Sequence, residues 1–168
     1  MKQEIKQAFN EQGYSFLLPI QEKAIPQILS RKNLFIQAAT GSGKTLAYLL
    51  PALEIADSAS NDTQILIITP TRELALQVSE VAKNIANYSK HHIVTVIGGL
   101  DIHKQENALR HRPTIIIGTP GRLMDLYSQK KIDLSHLLLC VVDEVDMVIS
   151  TGQRKETEYL LQHTDTQL

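Results

Sequence analysis

A lysine set directly after Gly-Ser-Gly is the pattern in this sequence best equipped for chemistry. It belongs to the octet Ala38-Ala39-Thr40-Gly41-Ser42-Gly43-Lys44-Thr45, which follows the apolar run Leu34-Phe35-Ile36 and precedes an apolar, helix-compatible stretch from Leu46 to Leu50. That order reads as strand, glycine-rich loop and helix N-terminus. Backbone N–H groups of such a loop wrap around a polyphosphate, and the helix dipole adds partial positive charge. In this reading Thr40, Gly41, Ser42 and Gly43 line the phosphates, Lys44 reaches the β- and γ-phosphates, and the Thr45 hydroxyl faces Mg2+. The ligand class is a nucleoside triphosphate.

Hydrolysis of a bound triphosphate also needs acidic groups for the metal and the attacking water. The run Leu137 to Val142 ends in Asp143-Glu144-Val145-Asp146. An apolar strand ending in Asp-Glu fits that need: Asp143 holds Mg2+, largely through water, and Glu144 positions or deprotonates the attacking water. The same acids also suit a helix N-terminus through the dipole alone. A third pattern occurs twice. Thr69-Pro70-Thr71-Arg72 and Thr119-Pro120-Gly121-Arg122 each follow an apolar run and precede a helix-compatible stretch. Threonine at the N-cap and proline at the first helical position make good helix starts. Free N–H groups at such starts also suit phosphates, so both readings stand.

These groups need elements to hold them. Strands are expected at Leu34–Gln37, Ile65–Thr69, Ile93–Ile97, Thr114–Ile117 and Leu137–Val142, all rich in Ile, Val and Leu without polar alternation, as in strands covered on both faces. Helices are expected at Gln3–Gln12, ended by Gly13, and at Gln21–Ser30, Lys44–Ser58, Thr71–Tyr88, His103–Arg110, Arg122–Gln129 and Thr157–His163. Alternation of this kind argues an α/β domain with a mostly parallel sheet. The chain has 168 residues, 43% hydrophobic and 21% charged, which suits one domain with a sizeable core. Its net charge of −1 offers no global basic field for nucleic acid, which leaves only local devices such as helix N-termini and a few placed arginines. The single cysteine, Cys140, excludes an internal disulfide and reads as a buried, inert thiol in a reducing cytoplasmic setting. No apolar run reaches the length of a membrane span and no signal-peptide core follows Met1. The six histidines show no zinc spacing, and Ser42 lacks the G-x-S-x-G nucleophile pattern.

Taken together, these segments resemble the DEAD-box RNA helicases of superfamily 2. Asp143 to Asp146 is similar to the family's D-E-A-D signature with valine for alanine, and Ala38 to Thr45 to its A-x-T-G-x-G-K-T loop. Pro70 to Ala75 matches P-T-R-E-L-A, Gly98-Gly99 resembles the paired-glycine motif, and Thr119 to Arg122 matches T-P-G-R. Five motifs in family order cover residues 38 to 146. Upstream, Gly13 to Gln21 is similar to the family's Q motif, with Leu17 and Leu18 where the family has proline and Ser/Thr.

The resemblance implies a three-layer RecA-like P-loop domain, with a Q-motif region over residues 1–30 and the P-loop core over 31–168. It implies ATP and Mg2+ as cofactors, Gln21 reading the adenine edge with its amide, and Tyr14 packing near the base. It implies RNA as partner, held by its sugar-phosphate backbone on Pro70, Thr71, Arg72, Gly98, Gly99, Thr119, Pro120, Gly121 and Arg122. Asp146 would couple the acidic tetrad to a second RecA-like domain. The family's next strand, carrying Ser-Ala-Thr, and that second domain do not occur before Leu168. The expectation is therefore a domain truncated before its last strand, hydrolysing poorly and not unwinding RNA alone. An ATP-gated RNA clamp with little unwinding shares these motifs; a DNA-acting superfamily 2 translocase is the other alternative, and Gln21 and Pro70–Ala75 argue against it.

Overall fold

Runs of Ile, Leu and Val without polar alternation become strands of one sheet, because only coverage on both faces buries every side chain of such a run. The structure, a computed structural model, describes residues 1–39 and 41–164. The elements in chain order are α1 (Gln3–Glu11), α2 (Pro19–Leu29), α3 (Lys44–Ile55), β1 (Ile65–Ile68), α4 (Arg72–Ile85), β2 (Ile93–Val96), α5 (Ile102–Arg110), β3 (Ile115–Gly118), α6 (Pro120–Ser128), β4 (Leu139–Val142), α7 (Val145–Ser150) and α8 (Arg154–Gln162). The strands lie in the order β2-β3-β1-β4, and every neighbouring pair is parallel.

Successive strand residues face opposite sides, and two cores result. Ile65, Ile67, Ile115 and Ile117 pack with Ile5 of α1, Ile28 of α2, Leu49 and Leu53 of α3 and Val78 of α4. Leu66, Ile68, Val94 and Ile116 pack with Leu109 of α5, Leu123 and Leu126 of α6 and Leu160 of α8. The domain is thus the expected three layers, helix–sheet–helix. Helix α3 is apolar all round and buried from Leu46 to Leu53, as a helix enclosed by its neighbours must be.

One expected strand is absent. Residues 32–39 form no ladder. Strand β4 pairs with β1 on one edge alone among the described residues, so the segment at 34–37 meets no strand to bond. Ile36 still packs on the first core, whereas Phe35 is 79% exposed. Helix α7 was not anticipated, since its six residues are too few to show a period; it ends at Ser150, and Gly152 two residues on is left-handed at φ 76.

Candidate functional site

Register sets the site. Ile68 pairs with both Gly118 and Val142, and Gly118 pairs with Val96, so all four strands end level. The loops that follow carry Gly98, Thr119, Pro70 and Asp143 along one rim at the carboxyl ends of the strands, where open α/β sheets bind ligands. At about 4.8 Å per strand, the rim spans roughly 14 Å. The order β2-β3-β1-β4 puts the candidate RNA residues on three adjacent strand ends and the acidic pair on the fourth.

The phosphate loop enters α3 through Gly43, which is left-handed at φ 89, with Gly41 at φ 79. Glycine suits this conformation because L side chains are strained in it. Lys44 Nζ donates to the carbonyls of Ala38 at 2.7 Å and Ala39 at 3.1 Å, so its ammonium is folded into the loop's own turn. The Ser42 N–H donates to Ala39 O at 3.2 Å, while the Ser42 hydroxyl is buried without a protein partner. Thr45 lies in the first turn of α3. Thr40 falls outside the described residues.

Asp143 is 8% exposed and both its oxygens are engaged: Oδ2 accepts from the Tyr48 phenol at 2.8 Å and Oδ1 from the Glu144 N–H at 3.0 Å. Burial, then the charge and hydrogen bond of Asp143, push the Tyr48 phenol far above its usual range, while the Thr45 hydroxyl draws it the other way. Glu144 caps α7 from a left-handed backbone, φ 49 and ψ 53, a conformation that costs a non-glycine residue about 1 kcal/mol. Asp146 is exposed in the first turn of α7. Among the described residues no cluster of three or more His, Cys, Asp or Glu side chains could hold a metal. One threonine hydroxyl and one carboxylate nonetheless fit Mg2+, which keeps several waters and takes further oxygens from substrate phosphates. Burial pushes the Cys140 thiol up to about 12, which leaves no thiolate for nucleophilic chemistry.

Gln21 is 2% exposed and its amide works inside the protein. Oε1 accepts from the Leu18 N–H at 2.9 Å and Nε2 donates to Gly43 O at 3.1 Å, tying the start of α2 to the phosphate loop. A methyl group on Gly43 would collide with this amide and with Leu18. Tyr14 is 39% exposed and stacks on Phe9 with ring centroids 5.1 Å apart.

At the other end of the rim, Pro70, Arg72, Gly98, Thr119, Gly121 and Arg122 line one groove of about 350 Å³. Thr71 caps α4, its hydroxyl accepting from the Leu74 N–H at 3.1 Å. Gly98 and Gly99 give the Arg72 guanidinium room to lie against the backbone, since a side chain on Gly99 would overlap it. Three contributors carried no sequence signal. The Gln105 amide brackets Ile97, bonding its N–H and its carbonyl at 3.0 Å each, and so fixes the loop before Gly98. Gln153 Nε2 donates to Pro70 O at 2.9 Å, linking the turn after α7 to the groove. The third is the Tyr48 hydroxyl. A buried polar group inside a helix stripe looks like any surface residue until its partner is known.

Comparison with known proteins shows the family. The family model described as DEAD/DEAH box helicase matches residues 18–168. The chain is 41% identical over 162 residues to the ATP-dependent RNA helicase CshA of Listeria monocytogenes, covering 96% of this chain and 31% of that protein. It is 36% identical over 167 residues to the DEAD-box ATP-dependent RNA helicase CshA of Bacillus subtilis, covering 99% and 34%. It thus spans about a third of the length of these curated relatives. Among solved structures, a DEAD box protein from Methanococcus jannaschii superposes with a TM-score of 0.93 at 31% identity, over 98% of this chain and 45% of that one. A hypothetical ATP-dependent RNA helicase from Sulfolobus tokodaii gives 0.91 at 37% identity, over 99% and 48%.

Proposed function

The chain belongs to the DEAD/DEAH box helicase family, and on that premise we propose that it is the ATP- and RNA-binding half of an RNA helicase that couples ATP hydrolysis to RNA clamping and local duplex unwinding. The observation that carries this reading is the level ending of the four strands, which sets the acidic pair and both Thr-Pro-x-Arg helix starts on one rim, with the phosphate-loop helix α3 tied to that rim by the Tyr48–Asp143 hydrogen bond.

In this reading Lys44 exchanges two neutral loop carbonyls for negatively charged β- and γ-phosphate oxygens, so that opposite charges meet across the bonds gained. Thr45 and Asp143 would hold Mg2+, which when bound would neutralise the charge that develops on the phosphates. Glu144, at the N-cap of α7, orients the attacking water and takes its proton. Gln21 holds the loop shut against Leu18 and Gly43 and offers its remaining amide hydrogen to adenine, with Tyr14 beside the base. Arg72 and Arg122, with the free N–H groups of α4 and α6, take RNA phosphates; contacts of this kind position a strand without reading its sequence. The Gln153–Pro70 hydrogen bond and Asp146 are the route by which the acidic tetrad senses RNA and a second RecA-like domain. That domain supplies the other wall of both clefts, so these 168 residues alone hydrolyse ATP slowly and do not unwind duplexes. A cytoplasmic setting is supported by the single cysteine, and no helix among the described residues is long and apolar enough to cross a membrane.

Glu144→Gln in the full-length protein tests the assignment. ATP binding is expected to persist while turnover falls by about 10²–10⁴-fold, the usual worth of a general base. Turnover at the wild-type rate would remove Glu144 from the mechanism.

A further inference from the structure

Helix α3 is hydrocarbon from Leu46 to Leu53 except at Tyr48, and that ring is 5% exposed. Packing alone asks for a phenylalanine there. The hydroxyl adds a polar atom that must find a partner when buried, and the partner it finds is 95 residues away, Asp143 Oδ2 at 2.8 Å. Tyr48 also lies three residues after Thr45, on the same face of α3. One phenol therefore stands between the two side chains assigned above to Mg2+, the first on the phosphate-loop helix and the second at the end of β4.

We propose that Tyr48 is a positioning residue for the metal site: its hydroxyl fixes the Asp143 carboxylate from the buried side and keeps it in register with Thr45. The carboxylate has two further hydrogen-bonding positions to offer outward, since Oδ2 takes the phenol and Oδ1 the Glu144 N–H. Two effects oppose each other. The phenol draws charge from Asp143, which weakens its hold on Mg2+; it also removes the rotation of a carboxylate that has only one other anchor. The second effect wins by magnitude, because loss of a hydrogen-bonding partner behind a metal ligand generally costs about 10–100-fold in metal affinity.

The proposal rests on the nucleotide reading given above, and its test separates the two. The measurement is binding of a fluorescent ADP analogue to the full-length protein, titrated with Mg2+ and repeated in EDTA. Tyr48→Phe keeps the ring and removes the hydroxyl. It is expected to raise the Mg2+ concentration at half-saturation about tenfold while leaving the affinity in EDTA within about twofold. Leu50→Val, which loosens the same buried helix without touching the hydroxyl, is expected to leave the Mg2+ half-saturation unchanged. A Tyr48→Phe protein with the wild-type Mg2+ half-saturation overturns the proposal, and so does an equal shift in Leu50→Val, which would make the effect one of packing. If the wild-type protein binds the analogue no better with Mg2+ than in EDTA, the assignment of Mg2+ to Thr45 and Asp143 falls and takes the proposal with it; if it does not bind the analogue at all, the nucleotide reading falls first.

Discussion

At the scale of single residues, the site is held by polar groups whose protein partners lie far off in sequence. Gln21 closes on Gly43, Tyr48 on Asp143 and Gln153 on Pro70. Each is a buried or half-buried bond whose loss leaves another group unsatisfied, and that asymmetry makes single substitutions informative. Arg72 is the clearest case in the groove proposed for RNA. Its guanidinium lies over Gly98 and Gly99 and its side chain is exposed at the groove. Arg72→Ala in the full-length protein is expected to weaken single-stranded RNA binding equally across sequences. It is also expected to reduce the slope of log K against log salt by about 0.7, the share of one phosphate contact. A salt titration on two unrelated sequences measures both; a loss confined to one of them would mean that Arg72 reads bases. These contacts also show where the sequence ran short. Lys44, Thr45, Asp143 and Glu144 stand out in the sequence as candidates because their neighbours in the chain announce them. The Gln21 amide was expected to face adenine, and its packing against Gly43 and Leu18 became visible only with α2 and the phosphate loop side by side.

At the scale of elements, the sheet is the ruler. Gly118 ends β3 level with Val96 and Ile68, and a methyl group there would meet the Val96 carbonyl and the Leu123 side chain. Backbone cannot step aside as a side chain can, so Gly118→Ala is expected to destabilise the domain by about 1–3 kcal/mol, the range for overpacking; denaturant titration checks it, and an unchanged midpoint would contradict it. A second prediction belongs to the junction of α3, α4 and β2. His91 contacts Ser89 Oγ at 2.7 Å and the Ala56 carbonyl at 3.3 Å. Burial, the leading cause, holds its pKa below the usual imidazole value. The unfolded chain then binds more protons than the folded one between that lowered value and about 6.5, so the stability His91 contributes is complete above about pH 6.5 and is lost as pH falls through the lowered value. Melting profiles from pH 7.5 to 5 are expected to fall more steeply for the wild type than for His91→Asn; parallel profiles would count against this origin. Four of the five expected strands were legible because their residues are Ile, Val and Leu without interruption. The fifth, at Leu34–Gln37, has the same composition and no ladder. Strand pairing depends on the neighbour as well as on the residues, and β4 offers no second described strand between them.

At the scale of the whole molecule, a net charge of −1 and a rim of local contacts fit the proposed holding of nucleic acid by geometry rather than by field. The helix–sheet–helix layering follows from alternation within Ile65–Ile68 and Ile115–Gly118, and its agreement with solved relatives at TM-scores of 0.91 and 0.93 extends over almost the entire chain. The RNA assignment is the claim on which the rest turns, because the same phosphate loop and acidic pair would serve an ATPase acting on DNA. Backbone readers distinguish the two through the 2′-hydroxyl. The direct measurement is the ATPase rate of the full-length protein with RNA and DNA single strands of matched sequence and length. Stimulation by RNA with little or none by DNA is the predicted result; equal stimulation by both strands would contradict it.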